Sequence, residues 1–326
     1  MKILKVSGLI IGIIILLVLC SGLYVNYALP NVGDAPDISV GRDSASIARG
    51  KYLAMHVAVC MDCHSQRDWS LFSGPVPPGK EGGGGERFGR EAGFPGTIYS
   101  TNLTPYQLSS WTDGEIYRAV TSGVGRDGRA LFPVMGYHRF GQMDKADLYN
   151  IIAYLRTLPS VKNDVPKPEL DFPVSLLNKL SPAPPVHQTK PSMNDTVRYG
   201  AYLVNAAGCV DCHSRQDKGQ VVPGSELGGG MEFRQPEGII RAPNITMHRE
   251  TGIGTWTKEL FVNRFKAYAD SGYHPKPLGK GELNSPMPWT MYAGMSREDL
   301  QAIYAYLKTV EPKASSVQIR SYDSKK

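Results

Sequence analysis

Cys60-Met61-Asp62-Cys63-His64 and Cys209-Val210-Asp211-Cys212-His213 share one pattern, Cys-x-x-Cys-His. That pattern is a covalent attachment signal for a c-type haem. Two thiols three positions apart on one helical turn can add to the two vinyl groups of a single porphyrin, which leaves the adjacent imidazole beneath the iron. Two covalently attached haem c groups are therefore expected, held by Cys60, Cys63, Cys209 and Cys212, with His64 and His213 as proximal iron ligands. Two Cys-x-x-Cys pairs also describe a four-thiolate zinc site, and a single pair a thioredoxin-like dithiol. Against both stand the His that follows each pair, the repetition around each motif and the exported look of the chain.

The repetition extends well beyond the motifs. Arg49-Gly50-Lys51-Tyr52-Leu53 precedes the first as Tyr199-Gly200-Ala201-Tyr202-Leu203 precedes the second. Glycine-rich stretches follow, then Thr101-Asn102-Leu103-Thr104 and Pro243-Asn244-Ile245-Thr246, then Trp111-Thr112 and Trp256-Thr257. One unit is duplicated. Each copy reads as three helices: one running into the motif, one starting after Trp-Thr with Thr112 or Asp113 and Thr257 as caps, and one closing the unit. The closing helices carry Leu148, Ile151, Ile152, Leu155 and Leu158, and Leu300, Ile303, Tyr304, Leu307 and Val310, at helical spacing. Tyr52, Tyr202, Trp111, Trp256, Asn102 and Asn244 recur at matching places, where they could pack on or hydrogen-bond to a porphyrin.

The sixth iron ligand decides between electron transfer and catalysis. Met135, in Pro133-Val134-Met135, lies 20 residues before Leu155, and Met287, in Pro286-Met287-Pro288, lies 20 before Leu307. This matched offset selects them over Met143, Met291 and Met295. Proline beside each would stiffen a loop that holds a thioether against iron. His138 and His274 occupy unrelated places in the repeat and read as surface histidines.

Lys2 and Lys5 precede an uncharged run from Val6 to Tyr24, 19 residues that can span a bilayer core. Lysines on the near side put everything after Asp34 outside the cytoplasm. The apolar run is longer than the ~7–15 residues of a signal peptide and lacks an Ala-x-Ala site, so an uncleaved anchor is expected. Cys20 reads as an apolar thiol within that span rather than a lipidation site. Between the two copies, residues 159–191 hold eight prolines, the pattern of a semi-extended linker. The net charge of +6 forms no clustered basic face, which excludes a nucleic-acid partner. Gly and Pro number 35 and 24, consistent with long ordered loops wrapped around a cofactor.

Arg49-Gly50-x-Tyr52-Leu53, Tyr99-Ser100-Thr101-Asn102-Leu103-Thr104-Pro105, Phe132-Pro133-x-Met135, Thr251-Gly252-Ile253-Gly254-x-Trp256 and Asp299-Leu300-x-Ala302-Ile303-Tyr304-Ala305-Tyr306-Leu307 resemble the cytochrome c subunits of bacterial membrane-bound periplasmic dehydrogenases for alcohols, gluconate and aldehydes. The resemblance covers residues 45–160 and 195–310. It implies an all-α fold of two tandem class I cytochrome c domains, His/Met ligation, and electron flow from a dehydrogenase toward quinone or a terminal oxidase. The expected layout is an anchor at 1–30, cytochrome c domains at 40–160 and 192–312, a linker at 161–191 and a flexible tail at 313–326.

The resulting expectation is a single-pass protein of the cytoplasmic (inner) membrane whose soluble part lies on the periplasmic side. It would pass single electrons from a periplasmic dehydrogenase or quinol-oxidising complex toward a terminal oxidase, as a carrier with no acid, base or nucleophile of its own. A dihaem peroxidase, whose iron must lose its sixth ligand, and a haem-based gas sensor are the two alternatives.

Overall fold

Helix α1 (Lys2–Ala28) leads the chain, and in the computed structural model, which describes residues 2–323, it packs on the rest of the protein near its C-terminal end. Its Lys5–Ala28 stretch has a mean hydropathy of 2.8 with none of it buried, long and apolar enough to cross a membrane. The first half then contributes α2 (Ser44–Tyr52), a π-helical turn (Leu53–Val57), α3 (Cys60–Cys63), strands β1 (Arg87–Phe88) and β2 (Gly96–Tyr99), α4 (Pro105–Leu108), α5 (Asp113–Ser122), a 3-10 turn (Pro133–Met135), α6 (Tyr137–Phe140) and α7 (Lys145–Leu155). The connecting segment holds β3 (Glu169–Leu170), α8 (Val174–Leu177) and a 3-10 turn (Asn178–Leu180). The second half follows with α9 (Thr196–Ala207), α10 (Cys209–Cys212), β4 (Gln216–Asp217), β5 (Gln220–Val221), β6 (Glu232–Gln235), β7 (Gly238–Arg241), α11 (Lys258–Lys266), α12 (Trp289–Tyr292), α13 (Arg297–Leu307) and β8 (Arg320–Tyr322).

Local chemistry explains where the helices begin. Thr112 closes a full capping box with Glu115 at the start of α5, and Thr257 caps α11 by accepting from the Leu260 amide. At α13 the box is half made: Ser296 accepts from the Asp299 amide, but the Asp299 carboxylate turns elsewhere. The closing helices pack as their spacing predicts, α7 against α2 and α13 against α9. Leu148, Ile151, Ile152 and Leu155, and likewise Leu300, Ile303 and Leu307, are buried, each contributing about 1.5–3 kcal/mol. Gly50 and Gly200 make these crossings possible, because a Cβ there would lie 1.7 Å from the Asn150 carbonyl oxygen or 1.9 Å from that of Ala302. The apolar side chains of both halves merge into one continuous core.

The all-α expectation is overturned. Only 39% of residues are helical and 8% lie in strands, a mixed helix-and-sheet fold. In each half a hairpin captures a third strand from beyond the closing helix. β2 pairs with β3, Gly96 opposite Leu170, and β7 pairs with β8, Gly238 opposite Tyr322, all antiparallel. Strands of two to four residues give too little period-2 pattern to read, and their partners lie far along the chain. The segment 313–323, read as a flexible tail, is thus tied down: β8 joins a sheet, and the Lys313 carbonyl accepts from Asn244 Nδ2 at 2.7 Å.

Candidate haem centre

Each motif sits at the end of a long helix, turned by one left-handed residue. In the second half α9 runs unbroken to Gly208, at φ 68°, and α10 follows as a single turn. Only seven positions separate Tyr202 from Cys209, whereas eight separate Tyr52 from Cys60. The extra residue is absorbed by the π turn, in which the Ala58 amide reaches back five residues to the Leu53 carbonyl at 2.7 Å. Val59 then takes the left-handed place of Gly208, at φ 46°.

The imidazoles are held alike in both halves. His64 is 7% exposed and its Nδ1 lies 2.7 Å from the Thr101 carbonyl; His213 is 9% exposed and its Nδ1 lies 2.8 Å from the Pro243 carbonyl. A carbonyl can only accept, so Nδ1 carries the proton and Nε2 presents its lone pair. Burial pushes both imidazoles below the ordinary His value and keeps them neutral. Neither Nε2 has a hydrogen-bond partner among the described residues. Nor is either one of the polar atoms sealed from solvent without a partner, which are Arg118 Nε, Tyr137 OH and Asn178 Oδ1. A buried neutral imidazole with one nitrogen fixed and the other free is the arrangement of an iron ligand.

The carbonyls that orient the imidazoles are positioned by two matching asparagines. Asn102 Oδ1 accepts from the Thr104 amide at 2.9 Å and from its hydroxyl at 2.7 Å, while Nδ2 donates to the Val161 carbonyl at 2.8 Å. Asn244 repeats all of this with Thr246 and the Lys313 carbonyl. Their amides are thus committed to protein partners, and the sequence-based idea that they bond a porphyrin is replaced by a role in holding the Thr101 and Pro243 loops.

The thiols of Cys60, Cys209 and Cys212 are pushed up to about 12 by burial and stay protonated. Among the described residues no group of three or more His, Cys, Asp or Glu side chains is arranged to hold a metal ion, the arrangement a zinc site would need. Of the methionines, Met143, Met291 and Met295 are sealed in the core at 0%, 7% and 1% exposure. Met135 and Met287 are half-buried at its edge. The Met287 loop is gripped by the first half, where the Ser73 hydroxyl donates to the Met287 carbonyl at 2.5 Å and accepts from the Trp289 amide at 3.2 Å. His138 and His274 are both exposed.

Sequence reasoning missed what joins the halves. Tyr52 OH donates to Asp299 Oδ2 at 2.5 Å, and Tyr202 OH donates to Asp147 Oδ2 at 2.8 Å, a reciprocal exchange between the halves. The tyrosine hydroxyls therefore latch the halves together. The signal was present: Asp147 and Asp299 each follow their Met by 12 positions. A second link is Arg139, which donates to Asp211 inside the second motif at 3.0 Å and to the Ala206 carbonyl at 2.6 Å. Arg139 thus carries a cation from the first half onto the second motif, and the π turn that leads into the first motif packs on α9 and α12, so both motifs lie at the interface between the halves.

Asp147, 1% exposed, also binds Arg49 at 3.0 Å and Lys190 at 3.3 Å. Burial alone would raise its carboxyl; the Arg49 guanidinium, Tyr202 and Lys190 outweigh that and hold it below the ordinary value. A carboxylate with a depressed folded value adds stability above its unfolded value of about 3.9, and that contribution is lost as pH falls through the lower folded one. Asp147→Ala should cost about 2 kcal/mol at neutral pH, less than a fully buried pair because Arg49 is partly exposed. It should also flatten the acid limb of a melting-temperature profile. Unchanged melting at pH 7 would show that the latch adds nothing.

A buried, singly oriented imidazole directly after a Cys-x-x-Cys turn is the arrangement that would ligate the iron of a covalently bound haem c. Residues 197–311 match the cytochrome c family model, and the first half does not, so the expected pair of tandem cytochrome c domains is corrected to one. The chain is 28% identical over 298 residues to "Alcohol dehydrogenase (quinone), cytochrome c subunit" of Gluconacetobacter polyoxogenes, covering 86% of this chain and 59% of that protein. It is 30% identical over 288 residues to "Fructose dehydrogenase cytochrome subunit" of Gluconobacter japonicus, covering 84% and 54%. It is 27% identical over 263 residues to "Diheme cytochrome c-type" of Cereibacter sphaeroides, covering 77% and 81%. The chain thus spans between half and two thirds of the length of the two dehydrogenase subunits.

Proposed function

We propose that the chain is a dihaem electron-transfer subunit anchored by α1 at the outer, periplasmic face of the cytoplasmic membrane. It would receive electrons from a dehydrogenase partner and pass them toward quinone or a terminal oxidase. Haem c, when bound, supplies an iron that gains or loses one electron at a time. Cys60 and Cys63 would attach one haem and Cys209 and Cys212 the other, and His64, His213, Met135 and Met287 would supply the iron ligands.

The observation that carries the reading is that both halves build the same imidazole clamp and bring their motifs to one interface. A shared interface is what a two-centre relay needs, because electrons must cross between the centres without leaving the protein. The chain's own part is to keep the imidazoles neutral and oriented, to exclude water, and to fix the two motifs through the tyrosine–aspartate exchange and Arg139. The names of the alcohol and fructose dehydrogenase subunits support a dehydrogenase as partner.

Ligand occupancy is the testable core. With Met on both irons the reduced protein binds carbon monoxide slowly or not at all, whereas Met135→Ala or Met287→Ala each opens one iron per chain to rapid binding. Stopped-flow spectra of the reduced protein measure this. Rapid binding to half the haem of the unaltered protein would instead favour the peroxidase or gas-sensor alternatives.

A further inference from the structure

We propose that the connecting segment around residues 172–180 is a second membrane contact, an interfacial foot that docks the first half on the lipid bilayer. The proposal rests on the reading of α1 as a membrane anchor. The segment lies against the C-terminal end of α1, where both α8 and the following 3-10 turn pack on that helix. Lys179 Nζ donates to the Asn26 carbonyl at 2.7 Å and to its Oδ1 at 2.9 Å.

That contact sets the depth. From Val6, twenty residues at about 1.5 Å each span roughly the 30 Å hydrocarbon core, ending at Val25. Asn26 is the next residue, so the ammonium bonded to it lies at headgroup level, where a lysine end and an apolar stem both find suitable surroundings. Around it Phe172 is 83% exposed, Leu180 56% and Leu177 49%, beside Tyr24 at 61% and Tyr27 at 81% on α1 itself. Apolar side chains with aromatics and a single cation, continuous with a spanning helix, match a bilayer interface.

The foot is attached rigidly to the first half. Buried Asn178, in the same turn, donates through Nδ2 to the Ala130 carbonyl at 3.2 Å, β3 pairs with β2, and Asp171 accepts from Arg90 Nε at 3.0 Å. Lipid contact at 172–180 would therefore add to the anchor in fixing the tilt and height of the first motif above the membrane.

The test uses the full-length, haem-loaded protein in nanodiscs of phosphatidylcholine and phosphatidylglycerol that include a lipid with a diazirine in its acyl chain. After irradiation and trypsin, the peptide 163–179 should carry lipid adducts at roughly ten times the yield of 259–264, whose Leu260 is 50% exposed on a helix, α11, that packs on α13 of the second half. The triple variant Phe172→Asp, Leu177→Asp, Leu180→Asp should keep its haem spectrum and lose those adducts. Adducts on the α1 peptide without any on 163–179, or adducts that persist in the triple variant, would overturn the foot while the anchor stands, leaving a protein partner as the occupant. Absence of adducts from both peptides would overturn the anchor reading and the foot together.

Discussion

Gly200→Ala is expected to lower the melting temperature by roughly 4–8 °C, and Gly50→Ala to do the same, although both glycines lie inside helices where alanine usually helps. The helix preference for alanine is worth about 1 kcal/mol. Against it stands a methyl group 1.9 Å from the Ala302 carbonyl oxygen, or 1.7 Å from that of Asn150, with Tyr306 Cβ or Tyr154 Cβ at 3.0 Å behind it. Backbone cannot swing aside as a side chain can, so the helix pair must separate by more than an ångström along its length. Overpacking of this kind costs about 3 kcal/mol or more, and each kcal/mol is worth about 2–4 °C in a chain of this size. Gly294→Ala is the informative contrast, since its Cβ would meet the His56 ring, a movable side chain, at 2.1 Å. Its effect should be smaller. Circular dichroism melts of the three variants decide the matter, and a Gly200→Ala protein that melts at or above the parent temperature would mean that α9 and α13 do not cross as closely as described.

What could be read from the chain beforehand divides by sequence distance. The attachment pentapeptides, the stripes of α7 and α13 and the apolar run of α1 are local patterns, and each appears where its spacing puts it. The Arg49-Gly50 and Tyr199-Gly200 repeats were visible as well, but not their cause, because the carbonyls they press against belong to helices some 100 residues further on. Long-range pairings stayed hidden for the same reason. Tyr52 and Asp299 are separated by 247 positions, and no periodicity connects them. The π turn was legible only as a mismatch, since the offset between halves is 150 at the tyrosines and 149 at the first cysteines. Strand β3, two residues long, gave no pattern at all until β2 was in place beside it.

On the proposed dihaem reading, the pairs Cys60→Ser with Cys63→Ser, and Cys209→Ser with Cys212→Ser, should each reduce covalent haem from two per chain to one, and all four together should abolish it. The two attachments are expected to be independent because each half orients its own imidazole through its own carbonyl, Thr101 or Pro243, with its own asparagine clasp behind it. Nothing in one clamp is borrowed from the other half. The two motifs are not so separated: Arg139 reaches from α6 to Asp211 across the interface at which both motifs lie. Arg139→Ala should therefore leave both haems attached yet shift both reduction potentials downward, because removing a cation from a buried site favours the more positive, oxidised iron. A pyridine haemochrome assay per chain and a spectroelectrochemical titration separate these effects. One haem lost and the other unmoved fits two independent clamps at one interface; loss of both haems from either cysteine pair would mean that the halves cannot be loaded separately.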